Sequence, residues 1–260
     1  MEDVLISIII ATYNPGYKLN TTLKSLRKQH YKNFELIIID GGSDDLTVDV
    51  IRENEDFISY WVSEQDNGVY DAWNKGINVA TGKWICFLGA GDTLYPDTLL
   101  KYTNVINTSS SHLDFISGKV QNVTIDGIEA TVFGQKWKWR EFRNIMTLAH
   151  VGALHNRKLF EDVGLFDTDY LIAGDYELLL RKRGELKTFF IPEVLANMEL
   201  GGISFSIKAL KESSIAQRKT AGNNPIKVFL YYLYRLLLFK TYYLRNFKYN
   251  SIRSSFTTSN

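Results

Sequence analysis

Apolar runs and helical repeats alternate along the first hundred residues. Short β-rich runs, VLISIIIA (4–11), FELIIID (34–40), FISYWVS (57–63) and WICFLG (84–89), are continuous enough to be buried on both faces. Between them LNTTLKSLRKQH (19–30), LTVDVIRENE (46–55) and VYDAWNKGINVA (69–80) repeat apolar residues near helical spacing. This order predicts βαβ units and an α/β fold with a mostly parallel sheet flanked by helices. Beyond about residue 110 the alternation weakens. FISGKVQNVTIDGIEATVFG (115–134) reads as a hairpin turning at Asp126-Gly127. A Trp-rich helical piece (KWKWREF, 136–142), a strand near HVGALH (150–155) and a helix through AGDYELLLRKRG (173–184) follow.

A chain of 260 residues buries a substantial core, and 45% hydrophobic with 23% charged residues is ordinary globular usage. The single cysteine, Cys86, lies within an apolar run, forms no intrachain disulfide and fits a reducing compartment. The N-terminal apolar run is preceded by Glu2 and Asp3, where a signal peptide carries positive charge. No stretch approaches the roughly 18 uninterrupted apolar residues of a membrane-spanning helix. The net charge of +1 hides an asymmetry: residues 206–260 carry ten Lys/Arg and one acid, Glu212, a net of +9, against −8 for the rest. A boundary is therefore placed near Ser206. It separates a catalytic domain, 1–205, with halves 1–110 and 111–205, from a basic, aromatic, helical extension, 206–260.

Ligands of parallel sheets bind beyond the carboxyl ends of the strands. There the sequence sets Thr12, Tyr13 and Asn14 after the first strand and Asp40-Gly41-Gly42-Ser43-Asp44-Asp45 after the second. Glu64, Asp66, Asn67 and Gly68 follow the third, and Gly89-Ala90-Gly91-Asp92 the fourth. Each such loop suits helix capping by itself. Four together form an anionic crevice, which accepts phosphates through a divalent cation held by one or two carboxylates. Zinc would require a His/Cys cluster that the sequence lacks. GAGDTL is a poor dinucleotide fingerprint, with Leu94 in the third glycine position.

Taken together, SIIIATYNPG, FELIIIDGGSDD and DNGVYDAWNKGINVATGKWICFLGAGD resemble glycosyltransferase family 2, inverting enzymes of the GT-A (nucleotide-diphospho-sugar transferase) fold. The resemblance runs in order from residue 6 to about 205. It implies donor-nucleotide contacts from Thr12, Tyr13, Asn14, Asp40, Asp66, Gly68, Asp71, Asn74, Ala90 and Gly91. The resemblance likewise implies that Asp92 holds Mg2+ or Mn2+, with Gly89 and Gly91 where related sequences often carry Asp. Asp175, in IAGDYELLLR, matches the catalytic base, and Glu177 is its substitute; without the resemblance an acid there caps a helix. His150 matches a histidine near the donor, with Val151 where Gln is common.

The implied reaction is transfer of a hexose from a nucleotide sugar, UDP being the commoner nucleotide, to a lipid-linked glycan in surface-polysaccharide (O-antigen, capsule or exopolysaccharide) assembly. The alternative is a non-catalytic nucleotide-sugar or glycan-binding module with a degenerate metal site. The basic tail reads as an amphipathic helix on an anionic membrane surface, as a helix docked on the catalytic domain, or as a homo-oligomer contact. No nucleic-acid motif accompanies its charge. The implied location is cytoplasmic, on the inner face of the bacterial cytoplasmic membrane.

Overall fold

Alternate residues of one strand supply two different cores, which explains why the strand sequences are apolar throughout. In the computed structural model, which describes residues 5–124, 128–202, 204 and 206–257 with side chains up to 241, β1 (Ile6–Thr12) sends Ile6, Ile8 and Ile10 to one face and Ile9 to the other. β2 (Phe34–Asp40) and β4 (Trp84–Gly89) divide in the same way, Cys86 and Leu88 on one face, Ile85 and Phe87 on the other. α1 (Lys18–Arg27), α2 (Thr47–Arg52) and α4 (Thr98–Thr108) cover the first face. α3 (Val69–Val79), α6 (Arg157–Val163) and α7 (Gly174–Arg181) cover the second.

Among the described residues the sheet has nine strands, in the order β3 (Tyr60–Ser63), β2, β1, β4, β8 (Leu154–Asn156), β6 (Phe115–Val123), β9 (Thr188–Glu199) and β5 (Thr93–Leu94), with β7 (Glu129–Phe133) paired to β6. β3 (Tyr60–Ser63), β2, β1 and β4 are mutually parallel, as the βαβ pattern predicts. β3 is shorter than the run 57–63, because turn hydrogen bonds from the Phe57 and Ile58 amides to Asn54 and Glu55 take those residues out of the ladder. β8 (Leu154–Asn156) joins β4 antiparallel. It starts four residues later than HVGALH, since the Ala153 amide turns back to the His150 carbonyl.

The second half contains the long hairpin of β6 (Phe115–Val123) and β7 (Glu129–Phe133), whose Asp126-Gly127 turn lies outside the described residues. The Trp-rich piece is helical only over α5 (Trp139–Phe142). β9 (Thr188–Glu199) runs parallel to β6, and its far end receives the two-residue β5 (Thr93–Leu94) antiparallel. Sequence patterning did not anticipate β9, since Pro192 stands inside it. The ladder accommodates the proline with register shifts between Ser117 and Val120.

α8 (Ile207–Lys219) begins at Ser206, whose hydroxyl accepts from the Ala209 amide, and α9 spans Pro225–Thr257. Among the described residues no helix is long and apolar enough to cross a membrane.

Candidate active site

The loops after β1 and β2 are built by their own polar side chains. Asn14 adopts a left-handed backbone (φ 51°), which Asn tolerates better than most residues. Its amide donates to Ser43 Oγ at 2.8 Å and its Oδ1 accepts from the Asp44 amide at 3.0 Å. Asp40 is fully buried at the end of β2, opposite Thr12, and accepts from the Ser43 amide, Ser43 Oγ and Ser63 Oγ. It orders the loop from within, while Tyr13 beside it projects into solvent, 67% exposed. Asp66 accepts from the Gly68 amide at 2.8 Å, and Gly68 opens α3. Asp71 accepts from the Asn67 amide. Asn74 uses both ends of its amide on the Phe166 backbone, at 2.9 and 3.0 Å, so it ties α3 to the second half of the chain.

A cavity of about 690 Å³ opens beside these loops. Of the residues singled out in the sequence, it brings together Asn14, Ala90, Asp92, His150 and Asp175. Thr12, Tyr13, Asp40, Asp66, Gly68, Asp71, Asn74, Gly91 and Glu177 are not in its walls.

At one end Asp92 closes the turn after β4. Its Oδ2 accepts from the Gly89 amide (3.1 Å), and its Oδ1 accepts from the Glu199 amide (3.2 Å) at the end of β9. The turn needs Gly91, whose φ is +105° and whose Cβ, if present, would lie 3.1 Å from Glu199 Oε2. Burial is the largest influence on Asp92; with the Glu199 charge beside it, it lifts the carboxyl from its ordinary 3.8 to about 6, against the two amide hydrogen bonds. Glu199 lines the same wall and pairs with Lys18 Nζ at 2.5 Å. Sequence reasoning missed both; Glu199 is the last residue of the strand that Pro192 disguised.

These oxygens suit a hard divalent cation. Both are carboxylates, each Asp92 oxygen accepts one hydrogen bond and keeps a lone pair, and the raised Asp92 value marks an anion that a cation would relieve. Among the described residues no group of three or more His, Cys, Asp or Glu gathers to hold a metal, so phosphate and water oxygens would complete the shell.

At the other end Asp175 lies in the first turn of α7. Its Oδ1 accepts from the Tyr176 amide and stands 3.2 Å from Tyr70 Oη. Burial, then the charge of Asp175, raises the Tyr70 hydroxyl well above its ordinary value, so it remains a donor.

His150 stacks on Trp73, with ring centroids 5.3 Å apart, and on Phe87 at 5.8 Å. Burial lowers its pKa while Asp175 opposes the shift. Its Nε2 and Trp73 Nε1 are buried without a hydrogen-bond partner. Trp73 was another residue that the sequence did not single out. It sits on an amphipathic helix where an aromatic reads as core.

Glu177 does not reach the cavity: it is buried, ion-paired to Arg181 and hydrogen-bonded by Thr220 Oγ1 at 2.8 Å. His155 is fully buried against Phe87 and Phe115. Burial likewise pushes the Cys86 thiol up to about 12.

The curled, mostly parallel sheet flanked by helices is the GT-A fold of glycosyltransferases. The chain belongs to glycosyl transferase family 2, whose model it matches over residues 7–164. It is 32% identical over 218 residues to a PGL/p-HBAD biosynthesis glycosyltransferase of Mycobacterium bovis, covering 80% of this chain and 82% of that one. It is 30% identical over 228 residues to the amylovoran biosynthesis glycosyltransferase AmsB of Erwinia amylovora, covering 77% and 71%. Among solved structures, S. aureus TarS 1-349 in complex with UDP-GlcNAc superposes with a TM-score of 0.64 at 15% identity, over 86% of this chain and 69% of that one. The mannosyltransferase PcManGT of Pyrobaculum calidifontis, in complex with GDP-Man and Mn2+, gives 0.64 at 19% identity, over 87% and 68%.

Proposed function

We propose that this glycosyltransferase moves a hexose from a nucleoside-diphosphate sugar, UDP being the first nucleotide to test, onto a hydroxyl of a lipid-linked glycan, with inversion at the anomeric carbon. The observation that carries this reading is the placement of Asp92 and Asp175 in the walls of one cavity. The PGL/p-HBAD and amylovoran biosynthesis in the names of its relatives, and the UDP-GlcNAc and GDP-Man bound to its structural neighbours, support this reading of acceptor and donor.

Asp175 takes the proton of the acceptor hydroxyl as that oxygen forms its bond to the anomeric carbon and the bond to the diphosphate breaks. One displacement by one base-assisted nucleophile inverts the centre. Tyr70 Oη, whose one proton goes to the Ile172 carbonyl at 2.7 Å, stands 3.2 Å from Asp175 Oδ1 and holds the loop on which the carboxylate rides. Asp92, with Glu199 beside it, would hold a divalent cation that offsets charge on the departing diphosphate. Trp73 and His150, stacked in the wall of the same cavity, offer an aromatic surface suited to the apolar face of a sugar ring.

The helix α9 is read as a peripheral contact with an anionic membrane surface on the cytoplasmic side. Ile226, Phe229, Leu230 and Leu237 are 69%, 58%, 60% and 61% exposed and recur at helical spacing, with Lys227, Arg235 and Lys240 among them. Sedimentation with vesicles tests this: binding to phosphatidylglycerol-containing but not neutral vesicles supports it, whereas a dimer that ignores vesicles assigns the stripe to self-association.

The decisive experiment for the activity is a panel of UDP-, GDP- and dTDP-sugars assayed for hydrolysis and for transfer to lipid-linked acceptors, with and without Mg2+ or Mn2+. Turnover of one donor with inverted product supports the proposal. Nucleotide binding without turnover of any donor, acceptors included, would overturn it in favour of a binding module.

A further inference from the structure

We propose that Glu212, on α8, is a positioning residue for catalysis: it grips the loop before α7 and so fixes where Asp175 stands. The proposal rests on the reading of Asp175 as the base.

Glu212 is only 8% exposed, and a single oxygen, Oε2, accepts from three successive amides: Leu171 at 3.1 Å, Ile172 at 2.8 Å and Ala173 at 3.0 Å. Three consecutive N–H groups aimed at one point make a nest for an anion, and here the anion is part of the chain. Hydrogen bonds to a carboxylate are stronger than neutral ones, so this grip is stiff. Leu171 and Ile172 meanwhile form part of the cavity wall, and Asp175 follows two residues after Ala173.

The loop is also held from α3. Tyr70 Oη donates to the Ile172 carbonyl at 2.7 Å, and its ring lies so close to Gly174 that a Cβ there would stand 2.7 Å from Cε2. The segment carrying Asp175 is therefore clamped between a side chain of the first half and one from the C-terminal region. Glu212 lies outside the family match at 7–164 and is the sole acid among residues 206–260. A solvated lysine-rich helix has no need of one buried acid. The 171–173 amides do.

The test uses the full-length chain and the donor turned over in the panel above, comparing wild type, Glu212→Ala, Glu212→Gln and Asp175→Asn. A displacement of about 1 Å in a reacting group costs roughly a hundredfold, so Glu212→Ala should lower kcat by that order. Its affinity for the nucleoside diphosphate should stay within about twofold, that contact lying elsewhere. Glu212→Gln keeps an accepting oxygen and should recover most of the lost kcat. Amide exchange at 171–173 should accelerate in the Ala variant and less in the Gln variant.

Faster exchange with wild-type kcat would overturn the proposal, as would kcat and nucleotide affinity falling together with a lowered Tm. If Glu212→Ala does not fold, Glu212→Asp, one methylene shorter, decides: reduced kcat at unchanged nucleotide affinity supports positioning, and wild-type kcat refutes it. A fully active Asp175→Asn would instead sink the base assignment on which the proposal stands. Loss of turnover in Asp175→Asn beside a fully active Glu212→Ala removes the positioning role alone.

Discussion

The two ends of the cavity hold their acids by different means. At the β4 end, Asp92 is fixed by backbone amides of Gly89 and Glu199, groups that belong to strand ends and move only with the sheet. At the α7 end, Asp175 rides on a loop held by the side chains of Tyr70 and Glu212. In the roles proposed for them, a carboxylate that holds a cation benefits from a rigid frame, and a proton acceptor sits on an element that single side chains can tune.

The sharpest break of this comparison is Asp175→Asn. Removing the base should lower kcat by roughly a thousandfold while nucleotide binding persists, read by single-turnover kinetics beside calorimetry. Asp92→Asn should cost roughly a hundredfold in kcat/KM and abolish the response to Mg2+ or Mn2+, a loss on the donor side.

The same carboxyl gives a pH signature. Its folded value of about 6 lies above the ordinary 3.8, so its contribution to the stability of the metal-free protein is present below 3.8 and lost as pH rises through about 6. A cation needs the ionised form. Metal-dependent nucleotide affinity should therefore climb by about tenfold per pH unit below the folded value and level off above it, which titration calorimetry between pH 5 and 7.5 would follow.

The smallest effect on activity should come from Glu177→Gln. Its Arg181 and Thr220 partners make it a structural acid, so the variant should lose about 2 kcal/mol of stability in denaturant unfolding. Its kcat should remain within about twofold of wild type. A collapse of kcat there would mean that Glu177, not Asp175, is the base.

How much of this was legible beforehand follows from the same contrast. The first four strands are apolar on both faces and separated by amphipathic helices, so the loops after them, Asp92 included, were readable from periodicity. The second half mixes parallel and antiparallel pairs with short elements, and its contributions hid accordingly. Pro192 masked β9 and with it Glu199. The resemblance singled out Asn74, but its tie to the Phe166 backbone, 92 residues away, has no side-chain signature. The resemblance singled out Asp40 for the nucleotide, but the hydrogen bonds from Ser43 and Ser63 that enclose it become visible only in the fold. The family resemblance singled out Asp175 where local pattern alone offered a helix cap. Glu212 did leave a signal, one acid in a basic stretch, but the amides it meets become visible only in three dimensions.

The clamp on the 171–173 amides also bears on the order in which the molecule is completed during synthesis. A growing chain whose first 170 residues have emerged already contains β1 to β4 and the Gly89 amide that meets Asp92, and its second amide partner follows at Glu199. The acceptor of the three loop amides arrives later still, some forty residues after the loop it holds, on the helix that leads into α9. The loops at the Asp92 end are thus made before the side chain proposed to position Asp175.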